Sequence, residues 1–87
     1  METYYFNKQV EVDAVYFRGQ GRPRAFPKHM WYGNRDVTFQ ESGLQYLVRR
    51  GKKAIKLFDM TDGHTNYRLK HDPEDQTWTL VRIAPAR

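Results

Sequence analysis

Apolar and polar side chains alternate at period two through most of the chain. From Val10 the pattern alternates and then turns apolar to Phe17, which predicts a first strand. Ala25 to Tyr32 predicts a second strand. Pro27 weakens its start, because proline has no N–H to give a ladder, and so marks an edge or a bulge. Asp36 to Gln40 alternates again and sets Val37 and Phe39 on one face. Ala54–Met60, Thr65–Lys70 and Gln76–Ile83 follow as three further strands. Turn chemistry separates these runs at Arg18-Gly19-Gln20-Gly21-Arg22-Pro23, Gly33-Asn34, Asp62-Gly63 and Asp72-Pro73-Glu74-Asp75. The tail from Ala84 to Arg87 carries no pattern and is expected to fray.

One segment departs from period two. Leu44, Leu47 and Val48 stand at i, i+3 and i+4, which is helical spacing. Ser42 suits an N-cap with Gln45 three residues on, and Gly51 suits a C-terminal cap after Arg49 and Arg50. This predicts a short helix over 42–50. The rival is another strand, because Tyr46-Leu47-Val48 also suits a sheet. The sum is an α+β, mostly β domain spanning residues 1–87. It has about six antiparallel strands in a curled sheet or open barrel, with one short helix between strands 3 and 4.

Composition narrows the function classes. Aromatics make up 15% of the 87 residues, enough large rings to fill a core in so short a chain. The chain has no cysteine, which excludes a disulfide scaffold, a thiolate nucleophile and a cysteine-ligated zinc. No apolar run approaches the ~18 residues that a membrane span needs, and the N-terminus lacks the apolar stretch of a signal peptide. A cytoplasmic location without membrane association is the expectation.

The net charge of +5 is unevenly spread. Ala14–Arg35 holds Arg18, Arg22, Arg24, Lys28 and Arg35 with no acid, and Ser42–Phe58 holds Arg49, Arg50, Lys52, Lys53 and Lys56 with no acid. Asp59–Asp75 reverses this, with Asp59, Asp62, Asp72, Glu74 and Asp75 against Arg68 and Lys70. Arginine forks suit phosphate oxygens, and aromatics near them stack on unpaired bases. Arg18, Arg22, Arg24, Arg49, Arg50, Lys52 and Lys53, with Trp31 and Tyr32, are therefore the candidate face for nucleic acid or another polyanion. The plainer reading is a solvated exterior.

A second class of function is a protein-interaction or homo-oligomeric module, using a sheet edge or the aromatic run Tyr4-Tyr5-Phe6. Catalysis is third. His29, His64 and His71 show no ligand spacing, and Asp59-Met60-Thr61-Asp62-Gly63 puts glycine where a calcium loop needs an oxygen ligand. Ser42 lacks a nucleophile-elbow context. No catalytic residue, metal or cofactor is expected. An enzyme would need a cleft assembled from His29, His64, Asp59 and Asp62.

Gly21-Arg22-Pro23-Arg24-Ala25-Phe26, Trp31-Tyr32-Gly33-Asn34-Arg35-Asp36-Val37 and Trp78-Thr79-Leu80-Val81-Arg82 together resemble small bacterial proteins of unknown function. Those carry a G-R-P…W-x-G-R hairpin and a late W-x-L-x-R strand. This chain departs at Asn34, where they tend to have arginine. The resemblance implies a hairpin and a last strand and brings no site residue with it.

Overall fold

The computed structural model describes residues 2–17, 24–40 and 43–86, which form seven strands and no helix. They are β1 (Tyr4–Phe17), β2 (Arg24–Tyr32), β3 (Arg35–Thr38), β4 (Leu44–Arg50), β5 (Lys53–Thr61), β6 (Thr65–Asp72) and β7 (Thr77–Pro85). All neighbours are antiparallel in one open sheet of order β3-β2-β1-β7-β6-β5-β4.

The 14-residue β1 holds the sheet's two halves together. Its first part, Tyr4 to Val10, pairs with β7, and its second part, Glu11 to Phe17, pairs with β2. A register shift between Asp13 and Ala14 lies opposite Pro27 and His29, so the proline sits at a bulge as its missing donor requires. Past that bend the β1–β2 hairpin turns back over the sheet, and the Phe26 ring meets Phe58 of β5 edge-on at 5.7 Å.

β3 and β4 are consecutive in the chain yet lie at opposite margins of the sheet. The sheet must therefore curl until the segment joining them can cross the gap. Two backbone bonds tie that crossing down. The Phe39 N–H donates to the Lys28 carbonyl at 2.9 Å, and the Gln40 N–H donates to the Thr61 carbonyl at 2.8 Å. Gly43 completes the crossing by lying flat on β5. A β-carbon there would collide with Met60 Sδ and stand 3.1 Å from the Asp59 carbonyl oxygen.

Inside the curl lie Val10, Met30, Val37, Phe39, Phe58, Met60, Tyr67, Leu69 and Leu80. The alternation that predicted the strands supplies them, since Phe58 and Met60, Tyr67 and Leu69, and Val37 and Phe39 are spaced by two. Burying each large side chain of this kind contributes about 1.5–3 kcal/mol.

Three expectations change. Most of the segment predicted as a helix over 42–50 is the strand β4, and the described residues form seven strands where about six were expected. Ser42 lies outside the described residues. The helical stripe Leu44, Leu47 and Val48 finds nothing to cover it and stays exposed. Pairing of all of β4 with β5, from Leu44 opposite Asp59 to Arg50 opposite Lys53, satisfies the backbone instead. Gly51, with φ of 59°, opens the two-residue hairpin turn rather than capping a helix. The C-terminal tail is also ordered as far as Ala86, since β7 reaches Pro85 and the Ala86 N–H donates to the His64 carbonyl at 3.1 Å, and Arg87 lies outside the described residues. Among the described residues no helix is long and apolar enough to cross a membrane.

Candidate nucleic-acid interface

β4 and β6 run toward the same end of the sheet, so the β4–β5 and β6–β7 turns leave at that end. Arg18 and Arg22 lie outside the described residues. Arg24 opens β2 opposite Phe17. Arg49, Arg50 and Lys52 stand exposed at the β4–β5 turn. Lys53 is already engaged. Its ammonium lies 2.7 Å from Asp72 Oδ2 and 3.9 Å from Glu74 Oε2. The hydrogen bond to Asp72 raises the Lys53 pKa, and the same bond holds the Asp72 carboxyl below its ordinary value. The acidic turn thus neutralises part of the basic corner.

The two aromatic candidates are not beside that corner. Tyr32 is half-buried, with Phe6 edge-on at 5.7 Å and the Lys8 ammonium 4.9 Å from its ring centre. Trp31 is exposed on the outer face of β2, opposite Glu11 of β1 and Asp36 of β3. His29 stacks on its ring at 4.7 Å and is itself bonded to Asp36. Carboxylates therefore surround the tryptophan.

A different set of residues comes together on the outer face of the other half. Directly opposed residues make one row: Tyr5 on β1, Arg82 on β7, Arg68 on β6 and Asp59 on β5. The next row brings Tyr46 of β4, Leu57 of β5 and Lys70 of β6 alongside. Arg68 forks onto Asp59, with Nε donating to Oδ1 at 2.6 Å and Nη2 to Oδ2 at 2.8 Å. That bond lowers the Asp59 pKa against the opposing effect of burial, and it raises that of Arg68. The Arg68 guanidinium also lies over the Tyr46 ring, 5.9 Å from its centre.

Arg82 makes no ion pair among the described residues and meets the Asp59 charge only at longer range. Its Nε is closed off from solvent and has no hydrogen-bond partner. Two arginines directly opposed across neighbouring strands repel each other, and the one carboxylate between them, Asp59, is bonded to Arg68 through both oxygens and only feels the charge of Arg82. The face carries a net positive charge from Arg68, Lys70 and Arg82 against Asp59. Tyr5 is 76% exposed on one side of it and Tyr46 is 41% exposed on the other.

The strand pattern contained this signal. Arg68 and Lys70 are spaced by two within an alternating strand, and so point to one face. Charge counted along the segment hid them, because the acids of Asp59–Asp75 sit in turns or in ion pairs. Asp62 takes amide protons from His64 and Thr65, both at 2.8 Å, and the Tyr67 hydroxyl at 3.2 Å. Burial pushes its carboxyl up, but those donors outweigh it and leave the pKa lowered.

The residues named for an enzyme are not assembled into one cleft. His29 is tied to Asp36 on β3, Asp59 to Arg68 on the outer face, and Asp62 and His64 share the β5–β6 turn. The His71 ring packs tilted against Trp78, centroids 4.4 Å apart, and burial, then the neighbouring Lys56, lowers its pKa. Among the described residues no three histidine or acidic side chains group in a way that would hold a metal ion. Comparison with protein-family models, curated proteins and solved structures finds no match to this chain.

Proposed function

We propose that this chain is a non-catalytic domain that binds single-stranded nucleic acid on the outer face of β5, β6 and β7, between Tyr5 and Tyr46. The observation that carries this reading is Arg82. It is a half-buried guanidinium whose Nε has no partner and which forms no ion pair among the described residues, set between a second arginine and the exposed Tyr5 ring on the neighbouring strands. Phosphate oxygens supply the missing negative charge, and unpaired bases supply faces that stack on tyrosine. A duplex offers the phosphates but hides the base faces, so single strands are the preferred ligand.

The test is fluorescence anisotropy with labelled single- and double-stranded oligonucleotides over a series of salt concentrations. Single strands should bind more tightly, with an affinity that falls steeply as salt rises. Arg82→Gln removes one phosphate contact and should reduce the slope of log affinity against log salt by about 0.7. Tyr5→Ala should weaken binding at every salt concentration by about 1–3 kcal/mol and leave the slope alone. Absence of binding at low salt overturns the reading. So does binding that is indifferent to Arg82→Gln and Tyr5→Ala but is lost when Arg49, Arg50 and Lys52 become alanine. That second outcome would return the contact to the β4–β5 turn.

A further inference from the structure

β4 is a sheet margin of an unusual kind. It pairs with β5 on one side, and no described strand lies on the other. Natural edge strands are usually short, bulged, interrupted by proline or studded with charge, because an open ladder recruits other strands. The β3 margin follows that rule, with four residues of which Arg35 and Asp36 are exposed and charged. β4 does not. It is seven residues long, it runs in unbroken register with β5, and it contains no proline. Leu44, Tyr46, Leu47 and Val48 are all exposed along it, the two leucines by 60% and 57%.

The placement of charge says what would fit. The strand has no acid, and its two cations, Arg49 and Arg50, are together at its C-terminal end. A parallel copy in register would set arginine beside arginine. An antiparallel copy pairing Leu44 with Arg50′ uses all seven residues and opposes no like charges (primes mark the second copy). Gln45 then faces Arg49′, Tyr46 faces Val48′, and Leu47 faces Leu47′ on the twofold axis. Each strand's cations are carried to the opposite end from its partner's. With the axis normal to the sheet, directly opposed residues share a face. Tyr46 and Val48 of both copies then join Leu57 and Ile55, their β5 partners, in one apolar stripe on the outer surface.

We propose that the occupant of this edge is a second copy of the chain, paired antiparallel through β4 about a twofold axis at Leu47. The dimer is one continuous sheet in which the two basic faces look the same way. This inference rests on the edge alone and does not depend on what the basic face binds.

The chain has no cysteine, so single introduced thiols report the register cleanly. Leu47→Cys lies against its own symmetry mate and should form a covalent dimer under mild oxidation. Gln45→Cys should not, because it stands four residues along the strand from its mate, about 14 Å, beyond the reach of a disulfide. Mixing Gln45→Cys with Arg49→Cys should restore the cross-link. Sedimentation equilibrium of the unmodified chain should show a monomer–dimer equilibrium that Leu47→Lys shifts fully to monomer, with an unchanged circular-dichroism spectrum. A chain that stays monomeric at the highest attainable concentration overturns the proposal, which leaves the edge to a strand from another protein. Equal cross-linking of Leu47→Cys and Gln45→Cys overturns it as well, as does a dimer that survives Leu47→Lys. Oligonucleotide binding measured on the Leu47→Lys monomer keeps the fate of the basic face separate from that of the edge.

Discussion

The two halves of the sheet present outer faces of opposite character. On the β1–β3 half, Glu11, Asp13 and Asp36 stand around Trp31 and His29. On the β5–β7 half, Arg68, Lys70 and Arg82 stand between Tyr46 and Tyr5 with Asp59 as their one direct counter-charge. Both faces carry exposed aromatics on the same pleated support. An exposed ring is therefore not in itself a nucleic-acid contact. Its neighbours decide, because a phosphate brought to Trp31 meets carboxylates and one brought to Tyr5 meets a guanidinium.

The contrast between the two halves depends first on their being packed together. Phe58 touches Trp78 on one side at 5.3 Å and Phe26 of the folded-back hairpin on the other. Phe58→Ala should cost about 3–5 kcal/mol in urea unfolding. A loss under about 1 kcal/mol would mean that the hairpin is held in place by other contacts. Gly43→Ala acts on the crossing between the margins. Met60 is buried and the Asp59 carbonyl is backbone, so neither yields freely to a new methyl group. The expected cost is about 1–3 kcal/mol. An unchanged unfolding midpoint would show that the crossing has slack.

Charge reversal on the outer face of the β1–β3 half leaves the core untouched. Glu11→Lys with Asp36→Lys turns the acidic face basic around Trp31. The double variant should gain about 3- to 10-fold in single-strand affinity at low salt, with stability nearly unchanged. Affinity that does not move would show that the geometry of the rings, and not local charge, separates the two faces.

The smallest effect is in the pH dependence. Burial and Lys56 hold the His71 pKa below its ordinary value of about 6.5, so the unfolded chain binds that proton more readily than the folded one. The stability it supports is complete above about pH 6.5 and declines as pH falls from there toward the folded-state pKa. His71→Gln should flatten the urea midpoint between pH 7 and 5. A second decline below about pH 4 should persist in that variant. Asp59, Asp62 and Asp72 are all lowered in the folded state, and their contribution is lost as they take up protons. A slope between pH 7 and 5 that survives His71→Gln would assign the effect to another group.

Much of this architecture is local and so is legible in one dimension. The spacing of Phe58 and Met60, and of Tyr67 and Leu69, declares which side of each strand meets the core. Gly33 and Gly63, with φ of 57° and 98°, turn the chain where their dipeptides said they would. Pro27 marks a bulge because it lacks a donor wherever it stands. Sequence alone determined these features, since each depends only on a side chain's polarity or on the freedom of its own backbone.

Other features depend on which strand lies beside which and arise only in the folded sheet. The helical spacing of Leu44, Leu47 and Val48 lost to the backbone partners that β5 offers. Lys53, read as a free cation, was claimed by Asp72 because the β4–β5 and β6–β7 turns leave the sheet side by side. Arg82 faces Arg68 only because a register shift between Arg68 and Leu69 lets β7 carry it to the outer face. Pairing energies accrue between residues far apart in the chain, and a sequence states its alternation without stating its neighbours. The basic face therefore came into view only once β5, β6 and β7 lay side by side.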